Sequence, residues 1–150
     1  MFGLRTYFIA LFCTILLSAC GGGSSGAPSA GLSPAAALGQ LIFHDPGLSA
    51  SGRMSCATCH DPSIGHASPF TTPVALGGVN LDQPGLRTPP AIRYLKFNGA
   101  FKFDVDGTPM GGFFWDGRKN SLAEQAKGPL LSPVEMANAS EADVIAKLQS

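Results

Sequence analysis

Cys56-Ala57-Thr58-Cys59-His60 is the stretch that decides what this chain folds around. In a helical turn, thiols three residues apart point to one side, and His60, four residues after Cys56, lies on the same side. That spacing suits covalent attachment of a porphyrin through both sulfurs, with the imidazole reaching the iron. The sequence therefore predicts one haem c, attached at Cys56 and Cys59 and ligated by His60.

Two other chemistries also use a Cys-x-x-Cys pair. The pair could form half of a zinc site, or it could be a redox dithiol. The chain contains 4 cysteines, and neither a second Cys-x-x-Cys pair nor a downstream pair of histidines is present to complete a zinc site. Haem attachment is therefore the favoured interpretation.

The amino terminus has the pattern of an export signal. The apolar run from Tyr7 to Leu17 is too short to span a membrane. Leu17-Ser18-Ala19-Cys20 resembles a bacterial lipobox, which predicts a lipoprotein signal peptide over residues 1–19 and a lipid anchor at Cys20. Gly21 is typical of an outer-membrane lipoprotein on the periplasmic side of a Gram-negative envelope. An ordinary signal peptide cut nearby is the alternative.

Composition divides the remaining chain into a tether and one domain. Residues 20–32 are rich in Gly, Ser, Ala and Pro, which predicts a flexible tether, and residues 33–150 suffice for a single domain. With 19 Gly and 12 Pro, that domain should be rich in loops. We expect a mainly α, cytochrome c-like fold of short helices around one covalent haem. The balance of 10 basic and 10 acidic residues gives no indication of a nucleic-acid partner.

Capping signals place the short helices. A serine or an equivalent start signal precedes each apolar segment, and Pro62 and Gly128-Pro129 mark two of the expected ends. The predicted helical segments are Ser33 to Phe43, Ser55 to His60, Ser121 to about Gly128, a capping box over Ser132 to Glu135, and Ser140 to Gln149.

Three finer features are also predicted. Residues 67–90 read as a long loop because they are rich in Gly, Pro, Asn and Asp. Alternating apolar residues from Phe101 to Val105, followed by the turn pair Asp106-Gly107, predict a small hairpin. In the last helix, Val144, Ile145 and Leu148 are expected to face inward.

Further motifs occur in a fixed order along the chain. They are Leu38-Gly39-Gln40-Leu41-Ile42-Phe43, Asp45-Pro46, Leu48-Ser49, Phe114-Trp115-Asp116-Gly117-Arg118, Ser121-Leu122, Glu124-Gln125-Ala126, Gly128-Pro129 and Pro133-Val134-Glu135-Met136. Together with the haem signature, they resemble the amino-terminal haem domain of bacterial di-haem cytochrome c peroxidases, the MauG family. The resemblance covers Pro34 to the end and implies that residues 33–150 are this domain, truncated before a second haem domain.

The resemblance implies an oxidoreductase that reduces hydrogen peroxide with electrons from a small periplasmic cytochrome c or cupredoxin. It also implies a second haem in the full-length protein, which we expect to form a homodimer. The chain has a single Cys-x-x-Cys-His motif. The alternative is therefore a mono-haem c-type cytochrome that acts only in electron transfer.

The family's site residues carry over position by position. The resemblance makes His60 the proximal iron ligand and Trp115 an electron relay between the two haems. It places Gln125 on the distal face and makes Glu135 the group that moves a proton between the peroxide oxygens. Residue types alone leave another role open for two of them. Trp115 could be a core aromatic, and Glu135 could be the third residue of a helix cap.

The sixth iron position has several candidates. His66 resembles the region where some family members carry a switching distal histidine, although a surface residue or a haem propionate partner is the alternative. Met54 and Met110 would be the axial ligands of an ordinary electron carrier, or simply gap-fillers.

The segment Leu86-Arg87-Thr88-Pro89 bears on whether the protein binds calcium. The family usually has Arg-Asn-Thr-Pro there, with the Asn as a calcium ligand, so its absence argues against calcium. Four basic residues could pair with haem propionates or be solvated surface charges. They are Arg53, Arg87, Arg93 and Lys96.

Overall fold

The structure, a computed structural model, describes residues 31–150. The predicted signal peptide over residues 1–19, Cys20 and most of the predicted tether lie outside the described residues. Among the residues that are described, no helix is long and apolar enough to cross a membrane.

Short helices make up most of the regular structure between residues 31 and 150. The α-helices are α1 (Pro34–His44), α2 (Cys56–Cys59), α3 (Leu122–Leu131) and α4 (Glu141–Leu148), and the 3-10 helices are Pro46–Leu48, Pro62–Ile64 and Leu95–Phe97. The expected mainly helical, loop-rich architecture is confirmed. Helices α1, α2 and α4 lie where the capping signals predict them.

Two antiparallel pairs of two-residue strands complete the fold. Strand β3 (Lys102–Phe103) pairs with β4 (Pro109–Met110), which confirms the predicted hairpin. Strand β1 (Leu76–Gly77) pairs with β2 (Gln83–Pro84) inside the segment predicted as a loop. That prediction was incomplete, because strands of two residues are too short to show a periodic pattern.

Helix α3 begins as predicted but ends later than predicted. Ser121 is its N-cap, and the Ser121 hydroxyl accepts a hydrogen bond from the Glu124 N–H at 3.2 Å. The helix continues through Pro129 to Leu131. Although a proline cannot donate to the preceding turn, the bond from the Ser132 N–H to the Gly128 carbonyl (2.9 Å) closes the last turn beyond it.

The second predicted capping box does not start a helix. Ser132 is the C-cap of α3, and residues 133–136 form a turn. The Ser132 carbonyl accepts hydrogen bonds from the N–H groups of Glu135 and Ala137, both at 3.0 Å, so the chain reverses there instead of continuing helically. The prediction that Glu135 caps a helix was therefore wrong.

Helix α4 buries less of its apolar face than expected. Its N-cap is Ser140, whose hydroxyl accepts from the Asp143 N–H. Val144 is buried, but Ile145 is 53% exposed and Leu148 is 47% exposed. The helix contacts only α3 and the 3-10 helix Pro46–Leu48 to a substantial extent, so one line of side chains is covered. The inward placement of Ile145 and Leu148 was wrong.

The core is small and adjoins the haem signature. Leu48, Met54 and Met136 form its buried cluster. Cys59 packs against this cluster, together with three partly buried apolar residues, Ile42, Leu81 and Leu130. Met54 is 4% exposed, so its side chain fills the core in this structure. Because Cys59 packs against this core, a haem attached at Cys59 would lie beside the core.

Candidate haem site

The Cys-x-x-Cys-His turn is fixed by its own short hydrogen bonds. The Ser55 N–H donates to the Thr58 hydroxyl at 3.0 Å, and the Thr58 N–H donates back to the Ser55 carbonyl at 3.1 Å. The His60 N–H donates to the Cys56 carbonyl at 2.9 Å and closes the turn. These bonds hold both cysteines and the histidine within one helical turn.

The imidazole of His60 is oriented by a distant carbonyl. Its Nδ1 lies 3.0 Å from the carbonyl oxygen of Pro90. Because a carbonyl can only accept, Nδ1 carries the hydrogen and the lone pair is on Nε2. Burial lowers the pKa of His60, although the Pro90 and His66 carbonyls and the Glu135 carboxylate act in the opposite direction. A neutral imidazole with a free Nε2 is the form that ligates iron.

Both thiols are half-buried and free. Burial raises the pKa of Cys56. Burial also raises the pKa of Cys59, to about 11, with the Glu135 carboxylate and Cys56 adding to the effect. The two sulfurs are therefore neutral thiols at neutral pH.

The residues present fit a covalently bound haem. They supply two thiols on one turn, one neutral imidazole with its Nε2 free, and an apolar core against which Cys59 packs. Between residues 31 and 150, no group of three or more His, Cys, Asp or Glu side chains could hold a metal ion. Cys56, Cys59 and His60 are the residues that would hold such a haem.

Glu135 is brought to this site by close backbone packing. It lies exposed in the turn over residues 133–136, yet its carboxylate is near enough to raise the pKa of both Cys59 and His60. The Gly78 N–H donates to the Glu135 carbonyl at 2.8 Å. At Gly77, a Cβ atom would overlap the carbonyl oxygen of Val134. The Gly-Gly pair therefore permits the approach that positions Glu135.

Trp115 lies at the surface. It is 71% exposed, so its interpretation as a core aromatic is wrong; the neighbouring Phe113 is buried instead. The Gly117 N–H donates to the Phe114 carbonyl at 3.2 Å, which places Trp115 at the tip of a tight turn. The guanidinium of Arg87 lies over the Trp115 ring, 4.0 Å from its centroid.

Comparison with known proteins identifies the family. The family model for di-haem cytochrome c peroxidase matches residues 33–150. The chain belongs to the di-haem cytochrome c peroxidase family. It is 42% identical over 117 residues to the methylamine utilization protein MauG of Paracoccus denitrificans, covering 76% of this chain and 30% of that relative. It is 38% identical over 113 residues to the cytochrome c peroxidase Ccp of Escherichia coli, covering 75% of this chain and 21% of the relative.

A solved structure and a further relative agree with this assignment. The diheme peroxidase BthA from Burkholderia thailandensis matches with a TM-score of 0.69 and 39% identity, over 77% of this chain and 30% of that chain. The cytochrome c551 peroxidase of Pseudomonas aeruginosa is 40% identical over 99 residues, covering 66% of this chain and 24% of the relative. The chain spans under a third of the length of these family members.

Gln125, which the family resemblance places on the distal face, lines a groove to which Glu135 does not contribute. It is half-buried on α3 and lines a groove of about 450 Å³. The groove is also lined by Ile92, Tyr94, Leu95, Lys96, Leu122 and Ala126, and neither Glu135 nor Trp115 contributes to it. Glu135, but not Gln125, thus acts on the pKa values of Cys59 and His60.

His66 lies beside His60. Its backbone has a positive φ of 58°, and its N–H donates to the Asp61 carbonyl at 2.7 Å. The imidazole packs edge-on against Phe43, with ring centroids 5.6 Å apart. Its Nδ1 is buried and has no hydrogen-bond partner among the described residues. Met110 is 44% exposed, on strand β4.

Three positioning residues were missed by sequence reasoning. Pro90 orients His60 across 30 residues, and no local pattern indicates that contact. Gly77 and Gly78 position Glu135, and their adjacency was the signal that could have drawn attention to a close backbone approach.

Proposed function

We propose that residues 33–150 are the haem c domain of a peroxidase that reduces hydrogen peroxide with electrons from a small periplasmic cytochrome c or cupredoxin. The observation that carries the proposal is the orientation of His60, whose Nδ1–H is held by Pro90 while Nε2 is left for iron. Membership of the di-haem cytochrome c peroxidase family supports the reaction class.

The reaction consumes one hydrogen peroxide, two electrons and two protons, and it yields two waters. When bound, the haem supplies the redox chemistry at iron. Glu135, whose carboxylate raises the pKa of both Cys59 and His60, would transfer a proton between the two peroxide oxygens. Trp115, exposed at the tip of its turn, would pass electrons one at a time between the domain and a second haem. Gln125 would line the approach from its groove. His66 is the histidine candidate for the sixth iron ligand.

Cellular placement follows from the amino-terminal motifs. Attachment of haem c takes place after export, which agrees with a signal peptide over residues 1–19. We propose a lipid anchor at Cys20 and a tether over residues 20–32 that holds the domain on the periplasmic side of the outer membrane. The full-length protein would carry a second haem domain and form a homodimer. Nothing in the site favours calcium.

The mono-haem electron carrier is less well supported. Such a carrier needs a sixth ligand that closes the iron site. Met54, one of its two methionine candidates, is 4% exposed and packs in the core with Leu48 and Met136. Met54 would therefore have to leave the core to ligate iron.

The decisive experiment is maturation of the chain in a periplasm that attaches haem c. We expect mass spectrometry to show one haem on the peptide containing Cys56 and Cys59, and we expect a high-spin ferric spectrum that changes on addition of peroxide. The matched control is Cys20→Ala, which should lose the lipid but keep the haem, whereas Cys56→Ser together with Cys59→Ser should lose the haem. A low-spin, peroxide-inert spectrum would instead indicate the electron carrier.

A further inference from the structure

We propose that Arg87 controls the oxidation of Trp115, raising the free energy needed to remove an electron from the indole. The inference rests on the proposed function in one respect, namely that Trp115 relays electrons there. The effect of Arg87 on the Trp115 ring does not itself depend on haem, because it involves only the guanidinium and the indole.

The contact is close and has the geometry of a cation–π pair. The Arg87 guanidinium carbon lies 4.0 Å from the centroid of the Trp115 ring. Tryptophan is the strongest aromatic partner for a cation, since its face is the most electron-rich. Trp115 is 71% exposed, so the guanidinium covers a ring face that would otherwise meet water.

Both partners are held by the backbone around them. Trp115 lies at the tip of its turn. The backbones of Phe113 and Lys119 pair at the base of this turn, where the Phe113 N–H donates to the Lys119 carbonyl at 2.8 Å. Arg87 is flanked by two anchors. The Gly85 N–H donates to the Ala75 carbonyl at 2.8 Å, and the Thr88 hydroxyl donates to the Pro73 carbonyl.

The stacked charge acts differently on the two redox states of the ring. The neutral indole attracts the guanidinium through its negative face. Loss of one electron makes the ring positive, so the attraction turns into repulsion between two like charges about 4 Å apart. Removing the guanidinium charge should therefore favour oxidation by about tenfold at equilibrium, and by about threefold in rate if half of the effect is present in the transition state.

During turnover, Arg87 would control how long Trp115 stays oxidised. Trp115 gives one electron to the oxidised haem and regains one from the redox partner, so the ring is unchanged after each passage. A ring that is harder to oxidise is in the oxidised state for a smaller fraction of the time. Arg87 would thereby limit irreversible oxidation of an exposed indole.

The chain is well suited to testing this inference. Trp115 is its single tryptophan, so any oxidised tryptophan detected in a peptide digest comes from this position. Arg118 provides a matched control, because its guanidinium stacks on a different ring, Phe114, at 3.8 Å and pairs with Asp116 at 2.6 Å. Arg87→Gln and Arg118→Gln change the net charge equally, but only the first uncovers Trp115.

The experiment exposes the haem-loaded chain to photogenerated tris(bipyridine)ruthenium(III), which oxidises indole without using the haem. Mass spectrometry then follows the loss of unmodified Trp115. We expect Arg87→Gln to react about threefold faster than the parent. Arg87→Lys, which keeps the charge, should stay close to the parent, and so should Arg118→Gln. Equal rates for Arg87→Gln and the parent would overturn the inference, as would equal acceleration by Arg118→Gln.

A second arm separates this inference from the proposed function. The same variants receive hydrogen peroxide without an electron donor, so that any oxidation of Trp115 depends on the haem. Greater Trp115 oxidation in Arg87→Gln than in the parent supports both. Acceleration by ruthenium together with no peroxide-driven oxidation in any variant supports the role of Arg87 and contradicts the relay role of Trp115.

Discussion

Cys59 shows how a single side chain records its surroundings. Burial raises its pKa from the ordinary value of 9.0 to about 11. A group with a raised pKa keeps its proton to higher pH, so at pH 8 the folded chain should have about 100-fold less Cys59 thiolate than the unfolded chain. We therefore expect haem-free chain to alkylate with iodoacetamide about 100-fold more slowly at Cys59 in buffer than in urea.

Peptide-level mass spectrometry measures this rate for each thiol separately. Cys56 has the same direction of shift, caused by burial, and serves as the internal comparison. Cys56→Ser removes the smallest of the three effects on Cys59 and should change its rate little. Equal alkylation of Cys59 in buffer and in urea would mean that the turn is not packed on the core before haem attachment.

Glu135 carries a prediction that distinguishes chemistry from stability. Glu135→Gln keeps the side-chain size and removes the proton-transfer group, so the reaction of peroxide with the haem should slow by about 100-fold or more. Because Glu135 caps no helix, the free energy of unfolding should change by less than about 0.5 kcal/mol.

Stopped-flow spectroscopy measures that reaction, and urea titration measures the stability. The control is Glu141→Gln, which removes an exposed carboxylate that pairs with Lys127 at 3.1 Å, away from the cysteines. Its peroxide reaction should match the parent. A parent-like rate for Glu135→Gln would exclude Glu135 from proton transfer.

At the residue scale, the sequence predicts which residues form the site better than it predicts what surrounds them. The spacing of Cys56, Cys59 and His60 indicates haem attachment because it is set within one helical turn. Pro90 lies 30 residues along the chain from His60. Arg87 lies in a different loop from Trp115, so local sequence patterns predict neither contact.

At the scale of elements, two serines that look alike in sequence have different roles. The Ser121 hydroxyl accepts from the Glu124 N–H and caps α3, whereas Ser132 participates through its backbone groups at the end of the same helix. Ser121→Ala should therefore cost about 1 kcal/mol of stability and Ser132→Ala less than about 0.5 kcal/mol. Urea unfolding of the two variants measures the difference. Equal losses would mean that the hydroxyl of Ser121 contributes nothing as a cap.

Two glycines give a second element-scale prediction. Gly39 lies inside α1 with nothing within 4 Å of a Cβ position, so Gly39→Ala should stabilise the chain by about 1 kcal/mol through helix propensity. At Gly77 in β1, the same methyl group would overlap the backbone of Val134, so Gly77→Ala should cost about 2 kcal/mol or more.

The same thermal unfolding series measures both glycine variants. Gly77→Ala should also slow the peroxide reaction, since the overlapping backbone is the one that positions Glu135. Gly39→Ala should leave that reaction unchanged. A Gly77→Ala variant with parent-like stability would show that the turn over residues 133–136 can move away from β1 at little cost.

The sequence predicted helix starts correctly, because their signals are local. It did not predict the end of α3 or the turn after it, because these depend on contacts with other parts of the chain. Start signals at Ser33, Ser121 and Ser140 give correct helices because a cap is a contact within four residues. The continuation of α3 through Pro129 depends on the closing bond from Ser132, and the turn after it depends on packing against β1.

At the scale of the whole molecule, Asn138 joins three parts of the chain. Its side-chain amide donates to the carbonyls of Leu48 and Leu130, both at 2.8 Å. Its Oδ1 accepts from the Lys147 ammonium at 2.6 Å, and Lys147 also donates to the Ser49 carbonyl at 2.7 Å. One buried side chain thus connects the 3-10 helix before the haem signature with α3 and α4.

No sequence pattern foretells this network. The bond to Leu48 spans 90 residues and the bond from Lys147 to Ser49 spans 98. Asn138 lies in a short irregular segment between two helices, where an asparagine ordinarily indicates a turn. Long-range satisfaction of polar groups becomes visible only once the elements are in place.

Asn138→Ala is therefore expected to destabilise the chain by about 2–4 kcal/mol, because it leaves the buried Leu48 carbonyl without its donor and removes one hydrogen bond each from the Leu130 carbonyl and the Lys147 ammonium. Asn120→Ala is the matched control, since Asn120 makes one exposed side-chain bond, from the Phe101 N–H, and should cost about 1 kcal/mol or less. Urea unfolding followed by circular dichroism measures both.

Because the network connects α4 to the segment beside the haem turn, Asn138→Ala should also increase amide hydrogen exchange in α4 and around Leu48 together. Faster exchange confined to α4 would mean that Asn138 anchors that helix alone and does not unite the fold.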